Sequence, residues 1–146
     1  MLGAIIGDIV GSIYEFNNHR SKDFILLDNK CYFTDDSVMT IAIAKALLES
    51  KKDYSDLSEK TVYYMQNIGR LYPSSGYGGN FHSWVFSLDP KPYNSFGNGA
   101  AMRVSACAWV GKNIDEVKKL SKMVTEVTHN HPEGIKGAEA TAVAIF

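Results

Sequence analysis

Apolar residues recur with helical spacing along most of this chain. Residues 38–48 are almost wholly apolar up to Lys45, which predicts a buried helix. No stretch alternates apolar and polar residues as a strand would, so the predicted fold class is all-α, with one domain over residues 1–146. Besides this helix, the pattern predicts helices around residues 3–11, 57–71, 81–88, 104–110, 113–127 and 135–145. The helix over 57–71 ends before Pro73, and the helix over 113–127 begins at Asn113 or Asp115.

The first apolar stretch carries a regular glycine pattern. Gly3, Gly7 and Gly11 recur every four residues, which places them on one side of a helix and predicts close approach of another backbone there. A dinucleotide-binding fingerprint requires G-x-G-x-x-G after a strand, and this stretch does not supply it. Asp8, Ser12 and Glu15 fall on neighbouring turns, at spacings of four and three residues, so Glu15 is either a candidate polar group at a helix end or a solvated residue.

Composition narrows the class of protein without assigning a function. The chain has 146 residues, 45% of them hydrophobic and 21% charged, which is typical of a soluble globular protein. A net charge of −1 gives no reason to expect nucleic acid as a partner, and no apolar run reaches the length of a membrane span. Cys31 and Cys107 form no metal-binding spacing, and we interpret them as reduced thiols of a cytoplasmic protein, with one disulfide as the alternative.

Two adjacent carboxylates stand directly before the predicted buried helix, in the sequence Thr34-Asp35-Asp36-Ser37. Thr, Asp and Ser are favoured at a helix N-terminus, where backbone N–H groups are unpaired and the helix dipole is positive. The same oxygen donors also suit a hard cation such as magnesium or manganese. Spacing alone does not decide between a helix cap and a metal site.

Two glycine-rich segments, residues 74–80 and 95–103, can each be a plain turn or a cradle for an anion. A third polar segment holds His129 and His131, two residues apart. Zinc would need soft partners that the rest of the chain does not offer, so both histidines are interpreted as hydrogen-bonding residues.

Taken in order, these motifs resemble the ADP-ribosylglycohydrolase family across essentially the whole chain. Each motif is weak alone, whereas the ordered set is specific. The resemblance rests on Gly7-Asp8 with Gly11 and Glu15, Thr34-Asp35-Asp36-Ser37, Tyr77-Gly78-Gly79, Gly97-Asn98-Gly99 with Met102-Arg103, and Thr128-His129 with Pro132 and Gly134.

The resemblance implies a compact all-α fold with two magnesium or manganese ions at the base of an ADP-ribose cleft. It implies that Thr34, Asp35 and Asp36 ligate the metals and that Glu15, with the two aspartates, is catalytic. The residues implied to bind substrate are Gly78, Gly79, Gly97, Asn98, Gly99, Met102 and His129.

The implied reaction is magnesium-dependent hydrolysis of the bond between ADP-ribose and an acceptor, in an ADP-ribosylated protein or small molecule. The alternative is a catalytically inactive truncated homologue that binds ADP-ribose or a protein partner. Neither a membrane nor nucleic acid is expected as a partner.

One departure from the family pattern concerns length. Family members are about twice as long and carry a second aspartate motif, D-x-D-[S/T], which this chain lacks after Ser37. The last predicted helix also has no stop signal. We therefore expect a C-terminally truncated fold whose metal site is incomplete in this chain alone, and which associates with itself or with a C-terminal half.

Overall fold

The computed structural model describes residues 1–146 and contains helices but no strands. The predicted all-α class is therefore confirmed. Two short 3-10 turns, Ser12–Tyr14 and Asn98–Ala100, accompany the α-helices. The helices are α1 (Leu2–Gly11), α2 (Asp35–Glu49), α3 (Leu57–Gly69), α4 (Gly79–Phe86), α5 (Ser105–Val110), α6 (Ile114–Thr125) and α7 (Pro132–Ile145).

Helix α2 lies at the centre of the fold and packs against α1, α3 and α5. Its small residues allow this close packing on several sides, and Met39, Ala42, Ile43 and Ala46 are completely shielded from solvent. Helices α6 and α7 pack on each other, and α5 joins them to α2. The predicted buried helix is confirmed, although it begins at Asp35 because the two aspartates form its first turn.

Helix α1 is the exception, since none of its residues is buried. A Cβ atom added at Gly3, Gly7 or Gly11 would meet no other atom within 4 Å. The helix predicted from these glycines is present, but the close approach of another backbone is not made within this chain.

Local capping explains where α6 and α7 begin. The Asn113 side chain accepts a hydrogen bond from the backbone N–H of Glu116 at 2.9 Å, which selects Asn113 rather than Asp115 as the start of α6. The His131 side chain likewise accepts from the backbone N–H of Glu133, and Pro132 takes the first helical position. Helix α7 therefore starts three residues before the predicted Ile135.

Two smaller expectations are resolved by the structure. Cys31 and Cys107 are not paired with each other, so the alternative of a disulfide is wrong. None of the helices has both the length and the apolar character that crossing a bilayer requires.

Candidate active site

A polar cleft of about 400 Å³ collects residues from well-separated parts of the chain. Thr34 lies outside it, in an adjoining polar pocket of about 300 Å³ that shares Glu15, Asp36 and Asn98 with the cleft. All other residues that the sequence assigned to catalysis or binding line the cleft itself: Glu15, Asp35, Asp36, Gly78, Gly79, Gly97, Asn98, Gly99, Met102 and His129.

Asp8 holds the start of α2 against α1. Its carboxylate accepts hydrogen bonds from the backbone N–H and the hydroxyl of Thr34, at 2.9 and 2.6 Å. It also accepts from the backbone N–H and the hydroxyl of Ser37, at 3.1 and 2.5 Å. The two N–H groups belong to the donors that a helix N-terminus leaves unpaired, so the Asp8 side chain caps the helix. It thereby also positions Asp35 and Asp36, which lie between Thr34 and Ser37 in the sequence.

Thr34 has the capping role that its position predicts. Its hydroxyl oxygen accepts from the backbone N–H of Asp36 at 3.3 Å while its proton is donated to Asp8. The next residue anchors a second loop, since the backbone N–H of Asp35 donates to the carbonyl of Ser75 at 2.8 Å. The helix-cap interpretation is therefore confirmed, and it is compatible with a further ligand on the remaining lone pair of Thr34.

The carboxylates of the cleft lack positively charged partners. Burial, followed by the charge of Asp36, raises the pKa of Asp35 to about 6, with smaller contributions from Asp8 and Glu15. Burial and then the charges of Asp8 and Glu15 also raise the pKa of Asp36. The salt bridges of the chain are all elsewhere, joining Lys45 to Glu49, Lys91 to Asp89 and Lys136 to Glu133.

The oxygen donors at this site are of the type that a hard divalent cation prefers, but there are too few of them to complete its coordination shell. Two carboxylates and the Thr34 hydroxyl are ligands that magnesium and manganese prefer, and a cation would relieve the repulsion between the acids. No group of three acidic, histidine or cysteine side chains converges with a geometry that could hold a metal. Thr34, Asp35 and Asp36 therefore offer part of a coordination shell.

The N-terminus of α4 forms another wall of the cleft. Gly78 is its N-cap and no side chain caps the helix, whose first bond joins the N–H of His82 to the carbonyl of Gly78 at 2.8 Å. The N–H groups of the first turn are thus free to bind an anion. A Cβ at Gly78 or Gly79 would meet nothing within 4 Å, so the cleft is open on this side.

The wall formed by the Gly97–Gly99 turn depends on close packing. A Cβ at Gly99 would lie 3.2 Å from both Cε1 and Nε2 of His129, so a larger residue here would require the imidazole to move by a few tenths of an ångström. A Cβ at Gly134 would lie 2.8 Å from the carbonyl oxygen of Ser95, a contact too short to accommodate. Gly134 therefore brings α7 against the loop that carries the cleft wall.

Arg103 is the cleft residue whose importance the sequence did not reveal. Its side chain is fully buried, and Nη2 donates to the carbonyl of Val124 at 3.3 Å and the hydroxyl of Thr128 at 2.7 Å. Its Nε and Nη1 atoms have no partner. Burial lowers the pKa of Arg103 to about 10, which leaves it charged at neutral pH. The Met102-Arg103 pair was part of the motif set, but the sequence did not indicate that the charge of Arg103 is buried.

Comparison with known proteins places these residues in a family. The chain is 28% identical to the ADP-ribosylhydrolase ARH3 of Mus musculus, 27% to that of Homo sapiens and 26% to that of Xenopus tropicalis. Each alignment covers 99% of this chain but only 46%, 47% and 48% of the respective relative, so the chain spans about half the length of the curated relatives it matches. The family model described as ADP-ribosylglycohydrolase matches residues 1–146. The chain therefore belongs to the ADP-ribosylglycohydrolase family.

Proposed function

We propose that the cleft binds an ADP-ribosyl group and that its residues take part in magnesium- or manganese-dependent hydrolysis of the bond joining that group to an acceptor. The substrate would be an ADP-ribosylated protein or small molecule. The observation that carries the proposal is the shared location of the family's motifs in one cleft, which is lined both by unpaired carboxylates and by free backbone N–H groups. The relatives' name, ADP-ribosylhydrolase, supports the same reaction.

The charges of the cleft favour one orientation of the ligand. A diphosphate is repelled by Asp35 and Asp36, whereas the N-terminus of α4 at Gly79 attracts it. We infer from this that the ribose that carries the acceptor binds beside the aspartates and Glu15, where the reacting bond would then lie.

Hydrolysis at this position requires a water oxygen to bond to the anomeric carbon as the bond to the acceptor breaks. The bonding electrons leave with the acceptor atom. The attacking water loses one proton, and the acceptor atom finally gains one proton. Glu15 lines both the cleft and the adjoining pocket, where its carboxylate can accept the proton of the water. Thr34, Asp35 and Asp36 would hold the metal, which when bound supplies positive charge for the ribose hydroxyls and acidifies water.

The test is release of ADP-ribose from arginine- and serine-linked ADP-ribosyl peptides, with magnesium or with a chelator. We expect release only with the metal, and a loss of about a hundredfold in Asp35→Ala and Asp36→Ala. Asp53→Ala, which removes an exposed carboxylate that bonds only its own loop, is the control. Equal release in the chelator would contradict the metal's role. No release even after addition of the C-terminal half of a relative would refute hydrolysis.

A second candidate is binding of ADP-ribose without hydrolysis. It is favoured by the absence of any three converging acidic, histidine or cysteine side chains. In that case calorimetry would give the same affinity for ADP-ribose in magnesium and in chelator, and no peptide would be cleaved.

A further inference from the structure

A buried hydrogen-bonded chain runs behind the cleft from Arg103 through Thr128 to His129. Nη2 of Arg103 lies 2.7 Å from the Thr128 hydroxyl, and the same hydroxyl lies 2.7 Å from Nδ1 of His129. Arg103 and Thr128 are fully buried, and His129 is 4% exposed. No acidic side chain forms a salt bridge with the guanidinium.

The direction of each hydrogen bond between Arg103, Thr128 and His129 follows from which of the groups can donate a proton. Arg103 can only donate, so Thr128 accepts from it and has one proton to give. The acceptors in reach are Nδ1 of His129 and, at 3.4 Å, the carbonyl of Thr125. That carbonyl already accepts from the backbone N–H groups of Thr128 and His129, at 3.2 and 2.9 Å. The Thr128 proton therefore goes to Nδ1, and the positive charge of Arg103 polarises the hydroxyl in the same sense.

An imidazole that accepts at Nδ1 carries its own proton on Nε2. Burial, and then the charge of Arg103, lowers the pKa of His129 to about 4, so the ring holds this single proton at neutral pH. The ring lies on the Gly99 turn and faces the cleft, and no hydrogen bond within the protein involves Nε2. The Nε2–H group is thus a donor available to a ligand.

We propose that Thr128 and Arg103 are positioning residues that hold His129 with its proton on Nε2, and that this N–H donates to an oxygen of the bound diphosphate. The identity of the ligand rests on the proposed function, whereas the position of the proton does not. A fixed donor discriminates in favour of acceptor oxygens, and the nearby guanidinium charge further favours a phosphate over an uncharged group.

The proton position is measured by long-range ¹H–¹⁵N correlation spectra of the histidine rings near neutral pH, with His129→Gln to assign the signals. We expect an unprotonated Nδ1 and a protonated Nε2 in the natural chain. Thr128→Val should mix the two tautomers, whereas Thr128→Ser, which restores a hydroxyl, should return the natural spectrum. The matched control is Thr125→Val, because that hydroxyl is buried without a partner and its loss leaves the carbonyl in place. A protonated Nδ1 in the natural chain, or an unchanged spectrum in Thr128→Val, would overturn the positioning role.

The ligand contact is measured by titration with ADP-ribose in magnesium. We expect affinity about tenfold lower in Thr128→Val and within about twofold of the natural value in Thr128→Ser and Thr125→Val. If Thr128→Val does not fold, the natural chain suffices, since its Nε2 signal should move with ADP-ribose and not with adenosine. Undiminished affinity in Thr128→Val, or a stationary Nε2 signal, would refute the contact. If ADP-ribose does not bind at all, the proposed function fails together with this contact, while the spectra still decide the proton position.

Discussion

Replacing Asp8 by alanine should destabilise the fold more than an ordinary change on an exposed helix. The substitution leaves four donors without their acceptor, the N–H and hydroxyl groups of Thr34 and Ser37. Hydrogen bonds to a buried charged group contribute roughly 1.5–3 kcal/mol each. These are only partly buried and water can replace some of them, so about 1 kcal/mol each, or about 3–4 kcal/mol together, is the reasonable expectation.

The assay is urea unfolding followed by helical circular dichroism in metal-free buffer. Asp8→Asn retains one acceptor oxygen and should lose about half as much stability as Asp8→Ala. Asp28→Ala is the matched control, because its carboxylate accepts a single local hydrogen bond from Lys30 in an exposed loop. This control should change the free energy of unfolding by less than about 0.5 kcal/mol.

The reasoning would be refuted if Asp8→Ala unfolded within about 0.5 kcal/mol of the natural chain with the same dependence on urea. Such a result would mean that α1 and the start of α2 are held together by something other than this carboxylate.

Three further predictions test separate parts of the account. Asp35→Asn should stabilise the metal-free chain by about 1 kcal/mol near pH 7.5, after allowance for the solvent exposure of this group. The pKa of Asp35 in the folded chain is about 6, above the ordinary 3.8, so the ionised carboxylate destabilises the natural chain above pH 6 and the stability gained in Asp35→Asn should vanish toward pH 4. Urea unfolding that gives an equal gain in stability at both pH values would contradict this. Gly134→Ala should lower the free energy of unfolding by about 2 kcal/mol in the same assay, because its methyl group would clash with the carbonyl oxygen of Ser95. Gly137→Ala, in open space on the same helix, should not destabilise the chain, and equal effects of the two changes would refute the packing argument. Gly79→Ala should leave the stability intact but weaken ADP-ribose binding about tenfold by calorimetry, because the methyl group occupies the open side of the cleft; unchanged affinity would exclude this wall from the binding site.

Local features of the fold were predictable because they depend on neighbouring residues. The apolar run after Asp36 predicted α2, and the start of α6 was predicted at Asn113 or Asp115, of which Asn113 is the cap, since periodicity and capping act within one or two turns. The predicted start of α7 at Ile135 is wrong because the cap is His131, with Pro132 in the first helical position, and histidine is not one of the residues that usually cap a helix.

Contacts between distant parts of the chain could not be derived from spacing. Asp8 accepts hydrogen bonds from residues 26 and 29 positions further along the chain, and its spacing from Glu15 does not indicate these contacts. The glycines of α1 were expected to meet another backbone, but their spacing does not specify a partner. The motif set identified the cleft residues, whereas the unpaired charge of Arg103 required the fold that buries it.

The most direct test of the central claim is calorimetric titration of magnesium into the chain, with and without ADP-ribose. The account predicts that each ligand binds more tightly in the presence of the other, by the same factor, and that Asp36→Ala abolishes this coupling. Binding of neither ligand, or an affinity for ADP-ribose that is the same with magnesium and with a chelator, would contradict the account.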